Sequence, residues 1–209
     1  MIVIGLTGSI GMGKSTIAAM LEQLKIPVHE ADAEVHRLLA SKGRGFRAVA
    51  AAFPYFKFPQ IYGKRNKAYY LKRSEMGKII FADDKARKKL EKILHPLVQD
   101  AQNQFIRKAK RAGHKIVALD IPLLFEIGGE KRVDVTLVAS SPFAVQRARV
   151  LARPGMTEKK FRAILKRQMP DGEKRARADY VIPTGIGRAH TMKELKAVIR
   201  KIKESQDLK

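Results

Sequence analysis

The sequence contains no cysteine. Disulfides, thiolate metal sites and cysteine nucleophiles are thereby excluded. No apolar run approaches the roughly 20 residues that cross a bilayer. No basic segment leads into a long apolar stretch at the start, where a short apolar run passes straight into a glycine-rich loop. A soluble cytoplasmic protein with no membrane association is the expectation. Acidic residues are scarce: 20 Asp and Glu stand against 43 Lys and Arg, a formal charge of +23. Such an excess suits phosphate-bearing partners, whether nucleic acid or small polyanionic substrates. The basic residues, among them Arg65, Lys67, Lys72, Arg73, Lys88 and Arg107, are scattered rather than gathered in one tail. They are not interleaved with the aromatics that stacking on single strands requires, so no specific nucleic-acid partner is expected. The 209 residues, 45% apolar and 30% charged, suffice for one sizeable core with small appendages. A monomer is the simplest expectation.

What is present begins near the first residue. Gly8-Ser9-Ile10-Gly11-Met12-Gly13-Lys14-Ser15 fits the phosphate-loop pattern G-x-x-x-x-G-K-[ST] without mismatch. The run Ile2 to Leu6 reads as a buried strand before it, and Ile17, Leu21 and Leu24 mark the buried face of a helix after it. Glycines let the backbone curl so that successive N–H groups point at one anion, and the helix N-terminus adds partial positive charge. Lys14 reaches the β- and γ-phosphates in such a loop, and the Ser15 hydroxyl completes a Mg²⁺ site. Gly8, Gly11, Met12, Gly13, Lys14, Ser15 and Thr16 are therefore the candidate nucleotide contacts, with ATP and Mg²⁺ the expected cofactors.

Ile26 to His29 reads as a second strand that ends in Glu30-Ala31-Asp32. Ligands of open α/β sheets bind beyond the carboxyl ends of the strands, which places Asp32 near the loop's ligand. The next strand, Lys115 to Asp120, comes some eighty residues later. A structureless connection that long is rare in a compact domain, so an inserted subdomain is expected. Helical spacing of Val35, Leu38 and Leu39, and again of Leu90, Ile93, Leu94, Leu97 and Val98, makes that insert helical, and it is where a second substrate is chosen. Phe53 to Gly63 reads as a turn-bearing connection. Val133 to Val138 is a fourth strand, and Ser141-Pro142 reads as an N-cap and first-turn pair opening a helix with Arg147, Arg149 and Arg153. Pro154-Gly155 ends it, and Thr157-Glu158 opens another, in which Gln168 is a polar intruder on the face of Phe161, Ile164 and Leu165 and should be hydrogen-bonded. Ala178 to Ile182 is a fifth strand, and a helix from about Thr191 to Lys203 closes the chain. Strands separated by helices imply a parallel sheet covered on both faces.

The loop does not choose among ATPases, GTPases and kinases. A guanine-binding Asn-Lys-x-Asp is missing, since Asn66-Lys67-Ala68-Tyr69 lacks the Asp. Asp120 is followed by Ile121-Pro122, so no second carboxylate follows it to activate water. Phosphoryl transfer to a small acceptor remains, and it needs a base and charge-neutralising arginines. Asp32 is the candidate base, or else a surface helix cap before Val35. Arg149 and Arg153, four apart, share a helical face that serves either the phosphates or solvent.

In matching order along nearly its whole length, the chain resembles dephospho-CoA kinase. The similar stretches are Gly5-Leu6-Thr7-Gly8 with the phosphate loop, Glu30-Ala31-Asp32, Leu71-Lys72-Arg73 ahead of Ile79-Ile80-Phe81, and Leu94-His95-Pro96-Leu97-Val98. Asp120-Ile121-Pro122-Leu123-Leu124-Phe125-Glu126, Gln146 through Arg149 to Arg153, Gln168, and Ala178-Asp179-Tyr180-Val181-Ile182 continue it. The resemblance implies a three-layer α/β phosphate-loop kinase fold with a five-stranded parallel sheet, an inserted helical substrate domain and a helical lid. Divided accordingly, 1–32, 115–140 and 178–209 form the nucleotide-binding core, 33–114 the insert and 141–177 the lid. It further implies ATP-dependent phosphorylation of the ribose 3′-hydroxyl of dephospho-CoA, with Asp32, Lys14 and Arg149 as the catalytic set. Thr7, Asp32, Arg73 and His95 would hold the acceptor, and Arg153 the nucleotide. His95 packs a helix or touches substrate; Asp120 orders Mg²⁺ through water or caps its strand. Three departures from the family pattern stand out: Glu30 in place of Asp, Met12 in place of a small loop residue, and Pro183-Thr184-Gly185 in place of an Asp-Asn-x-Gly region.

Overall fold

The computed structural model describes residues 1–41, 43–65 and 68–207. Lys42 and the Asn66-Lys67 pair weighed above lie outside the described residues. In order, the elements are β1 (Ile2–Thr7), α1 (Lys14–Gln23), β2 (Val28–Glu30), α2 (Ala31–Leu38), α3 (Arg44–Ala52), β3 (Tyr62–Arg65), β4 (Ala68–Leu71), α4 (Arg73–Ala82) and α5 (Asp84–Arg111). Then follow β5 (Ile116–Asp120), β6 (Val135–Ser140), α6 (Phe143–Leu151), α7 (Glu158–Leu165), α8 (Asp171–Arg177), β7 (Tyr180–Pro183) and α9 (Arg188–Asp207). They form two compact units: residues 1–29 with 108–209, and residues 30–107.

The first unit is built on a five-stranded sheet of order β2-β5-β1-β6-β7. β1 is central and every one of its residues is buried, as a strand covered on both faces must be. Its parallel register pairs Ile2 with Ile116 and Leu6 with Asp120 on one side, and Ile4 with Val135 and Thr7 with Val138 on the other. Parallel strands end together, so this register brings Thr7, Asp120 and Ser140 to one edge. Ile2, Ile4 and Leu6 share a core with Ile17, Met20 and Leu21 of α1 and with Leu195, Ile199 and Ile202 of α9. Asp179 fastens the β6–β7 edge: its Oδ2 accepts from Thr136 N at 2.7 Å and Thr136 Oγ1 at 2.6 Å. The five strands lie where apolar runs predict them. β2 is shorter than its run, because Pro27 has no N–H to give a ladder; its carbonyl instead accepts from Ala118 N at 2.9 Å.

The second unit has its own core, in which Val49, Phe53, Ile61, Met76, Leu90 and Leu94 are buried. It is helical as expected, and it also contains the antiparallel hairpin β3–β4, pairing Tyr62 with Leu71 and Arg65 with Ala68. The turn-bearing connection read from Phe53 to Gly63 holds through Ile61, and its last two residues, Tyr62 and Gly63, are corrected to the start of β3. Tyr62 enters the core and its hydroxyl donates to Phe53 O at 2.6 Å, which turns the aromatic segment into the start of a strand.

Candidate active site

The loop after β1 wraps the N-terminus of α1, whose N-cap is Gly13 with φ 85°. Gly11 also has positive φ, 78°. Both positions are crowded as well as left-handed. A Cβ at Gly11 would fall 2.5 Å from Val150 Cγ2, and one at Gly13 would fall 2.7 Å from Thr184 Oγ1. Only glycine meets both conditions, which explains the spacing of the motif. α1 therefore presents its unpaired N–H groups and the positive end of its dipole at the carboxyl edge of the sheet.

Side chains from distant segments hold the loop in that curl. Gln146 of α6 donates to Ile10 O at 2.7 Å, and Gln168 accepts from Ile10 N at 2.9 Å, so the two peptide groups flanking Ile10 are both held. Gln168 lies three residues beyond the end of α7, hydrogen-bonded as its polar character on an apolar face required. Thr184 Oγ1 donates to Met12 O at 2.6 Å. Ser141, read above as a helix cap, donates instead through N and Oγ to Met12 Sδ at 3.2 and 3.3 Å. The N-cap of α6 is Pro142, without a side-chain cap. The long Met12 side chain reaches Ser141 and takes the hydroxyl that would otherwise cap the helix.

Lys14, half-exposed at the start of α1, pairs with the buried carboxylate of Asp120 at the end of β5. The carboxylate thus stands as counter-charge to the ammonium. Ser15 is exposed and Thr16 half-buried in the first turn of α1, while Gly8 packs where a Cβ would meet Ala139 O at 2.8 Å. Thr7 is fully buried and donates from Oγ1 to Pro122 O at 3.1 Å. The Arg149 guanidinium donates to Thr184 Oγ1 at 3.0 Å, Thr184 O at 2.6 Å and Gly11 O at 3.5 Å. It therefore lies against the loop, although it belongs to an exposed residue. The helical face predicted for Arg149 and Arg153 does not extend so far, because α6 closes at Leu151 and Arg153 is exposed in the following turn. Pro154 disfavours helix at Arg153, and Gly155 turns the chain with φ 71°.

The remaining site candidates belong to the second unit. Asp32 is exposed in the first turn of α2. The N-cap there is Glu30, which makes no side-chain cap, so Asp32 does not hold the N-cap position. Arg73 opens α4 and is exposed; His95 is half-buried in α5 directly before Pro96.

Sequence reasoning did not single out two partners. Thr184 appeared only as a departure from a pattern, and Lys174 sits in a run of charged residues that reads as solvated. Lys174 is fully buried, with Nζ 2.8 Å from Glu126 Oε1.

A family model described as dephospho-CoA kinase matches residues 2–186. A dephospho-CoA kinase of Novosphingobium aromaticivorans is 46% identical over 97% of this chain and 95% of its own length. That of Paramagnetospirillum magneticum is 51% identical over 98% and 92%. Among solved structures, one from Thermus thermophilus superposes with a TM-score of 0.76 at 33% identity, covering 96% of this chain and 97% of that one. The dephospho-CoA kinase of Campylobacter jejuni shares the fold, with a TM-score of 0.68 at 24% identity and 98% of both chains covered. With sequence, fold and phosphate cradle in agreement over nearly its full length, the chain belongs to the dephospho-CoA kinase family.

Proposed function

We propose that this chain transfers the γ-phosphoryl group of ATP to the 3′-hydroxyl of dephospho-CoA, giving coenzyme A and ADP, and that it does so as a cytoplasmic monomer. The observation that carries the reading is the cradle of Gly8 to Thr16 with Lys14 at its centre, in a chain of this family. Lys14 exchanges Asp120 for the β- and γ-phosphates when nucleotide enters, and the loop amides take the phosphate oxygens. The residues present fit Mg²⁺, a hard cation that binds oxygen donors and keeps several waters. The Ser15 hydroxyl is exposed at the helix start and the Asp120 carboxylate lies beside Lys14. Ser15 and Asp120 would hold the ion, which would supply positive charge against the negative charge that builds on the phosphate oxygens.

Asp32 accepts the proton of the acceptor hydroxyl as the oxygen attacks the γ-phosphorus and the bond to the β-phosphate oxygen breaks. Its exposure and its freedom from the N-cap position support that role. Thr7, Arg73 and His95 bind the acceptor. Arg149 and Arg153 supply positive charge from the lid side, 141–177, and the contact of Arg149 with Gly11 O supports its assignment.

One assay tests the reading. ADP release from Mg-ATP is followed with dephospho-CoA, nucleosides or oligonucleotides as acceptor. Release driven by dephospho-CoA is expected; release driven only by another acceptor overturns the assignment. Asp32→Asn should lower kcat by about 10²–10⁴ while ATP binding persists, and an unchanged kcat removes Asp32 from the mechanism.

A further inference from the structure

Lys174 is fully buried, although it lies in the run Asp-Gly-Glu-Lys-Arg-Ala-Arg of α8. Its ammonium pairs with Glu126 Oε1 at 2.8 Å and donates to Pro122 O at 3.3 Å. A buried ion pair is a poor device for stability, because desolvation offsets most of the attraction and apolar replacements often serve as well. Its contacts point to another use. Pro122 O is the same carbonyl that receives Thr7 Oγ1 at 3.1 Å, so Lys174 fixes the acceptor on which the last residue of β1 hangs. Glu126 Oε1 also accepts from Met169 N at 2.9 Å. The preceding residue, Gln168, accepts from Ile10 N inside the phosphate loop at 2.9 Å. The Lys174–Glu126 pair thus reaches the phosphate loop at two points, through Thr7 just before it and through Ile10 in its first half.

The surroundings of the loop give those bonds their weight. A cavity of about 420 Å³ opens on this flank, lined by Ser9, Met12, Gln146, Leu165 and Met169. The glycines of the loop pack closely against Ala139, Val150 and Thr184, while Ser9 and Met12 face the cavity, so the hydrogen bond to Ile10 N adds a directional constraint on the side that the cavity leaves open. We propose that Glu126 and Lys174 form a positioning pair that sets the register of the phosphate loop through Pro122–Thr7 and Met169–Gln168–Ile10. Neither residue touches substrate on this account. The inference rests on the phosphotransfer reading above only in its kinetic consequence; its effect on nucleotide binding does not depend on the acceptor.

Three variants test it: Lys174→Met, Glu126→Leu and the double variant, each read by melting temperature, by ATP affinity with a fluorescent ATP analogue, and by steady-state kinetics. Lys174→Met leaves the half-buried Glu126 carboxylate without its cation and should lower the melting temperature by about 10 °C. The double variant leaves no buried charge and should melt within a few degrees of the parent. It should nevertheless keep a kcat/KM for ATP about 10²-fold down, the cost of a displacement near 1 Å at a reacting site. A purely structural pair predicts instead that activity returns with stability. A stable double variant with parental ATP affinity and kcat overturns the proposal. Gln168→Ala removes the final bond without touching the pair, so it decides the matter even if the double variant does not fold. It should reproduce the loss, and parental kinetics in it overturn the proposal as well. If the parent chain fails to use dephospho-CoA, the functional assignment falls, while the ATP-affinity comparison still judges the pair.

Discussion

In the first unit, polar side chains reach the phosphate loop from α6, from the end of α7 and from the segment after β7. In the second unit, most ion pairs join neighbours on one helix: Arg37 with Glu34, Lys78 with Glu75, and Arg87 with Asp84 and Glu91. The first arrangement fixes atoms where a ligand of defined shape must be met. Apart from Arg37–Glu34, whose acid is buried, the second decorates solvated helices and contributes little to stability, since exposed pairs gain modestly and are screened by salt. What holds the second unit is its apolar core around Phe53. Deletions in the two units should therefore break different things: chemistry in one, folding in the other.

The largest effect is expected at Lys14. A charge about 4 Å from a phosphate is worth roughly 4 kcal/mol at an effective dielectric of 20. Lys14→Met should thus lower kcat/KM by about 10³-fold with the second unit intact, as checked by ADP release and by hydrogen exchange over residues 30–107. A variant that kept its activity would remove the loop from catalysis and with it the contrast drawn here.

Phe53→Ala attacks the comparison from the other side. Phe53 is 1% exposed, its ring packs on Phe58 at 5.4 Å between centroids, and Lys89 Nζ lies 5.4 Å from its centre. Removing it should cost the second unit about 3–5 kcal/mol and expose its amides to exchange, while ATP still binds to the first unit. Loss of ATP binding in parallel would show that the two units do not fail separately.

Gly13→Ala should cost about 1–3 kcal/mol, because φ 85° disfavours a side chain and the new Cβ would meet Thr184. The loss should fall on ATP affinity more than on melting temperature, since the strain sits in the phosphate loop and its Thr184 contact. Thermal shift with and without nucleotide separates the two readings.

How much of this was legible beforehand follows the range of the forces involved. The sheet strands are apolar runs bounded by turn residues, and the loop is a local pattern of fixed spacing; both can be read within a dozen residues. The β3–β4 hairpin is different, because only Tyr62 and Leu71 of its paired residues are buried and the rest mixes charge with exposed aromatics. Period-two alternation never becomes visible there. Gln168 was readable as a polar residue on an apolar face, but its partner was not, being 158 positions away. Ser141 fitted the cap pattern and lost to Met12, a competitor that no local window contains. Lys174 gave no signal, since a buried lysine in a basic helix looks like its solvated neighbours until the fold brings Glu126 to it.

The smallest effect is expected where an exposed pair of the second unit's kind occurs in the first. Glu158 of α7 accepts from Arg162 Nε, one turn along its own helix, and from Arg147 Nε of α6, both at 2.9 Å. The hydrogen bond from Arg162, reinforced by the charge of Arg147, holds its carboxyl below the ordinary value of 4.5. A carboxyl lowered in the folded state contributes stability that is present above its unfolded value and disappears as pH falls through the folded one. Glu158→Gln should therefore melt slightly lower than the parent at pH 7, and the gap should close on acidification below pH 4. It should also close in about 1 M salt, where the screening length falls to about 3 Å. Melting curves from pH 7 to pH 3, at low and high salt, measure both. A gap that survived acid would mean that Glu158 acts through packing rather than charge, and the line between ligand-fixing and solvent-facing bonds would then run through α7 itself.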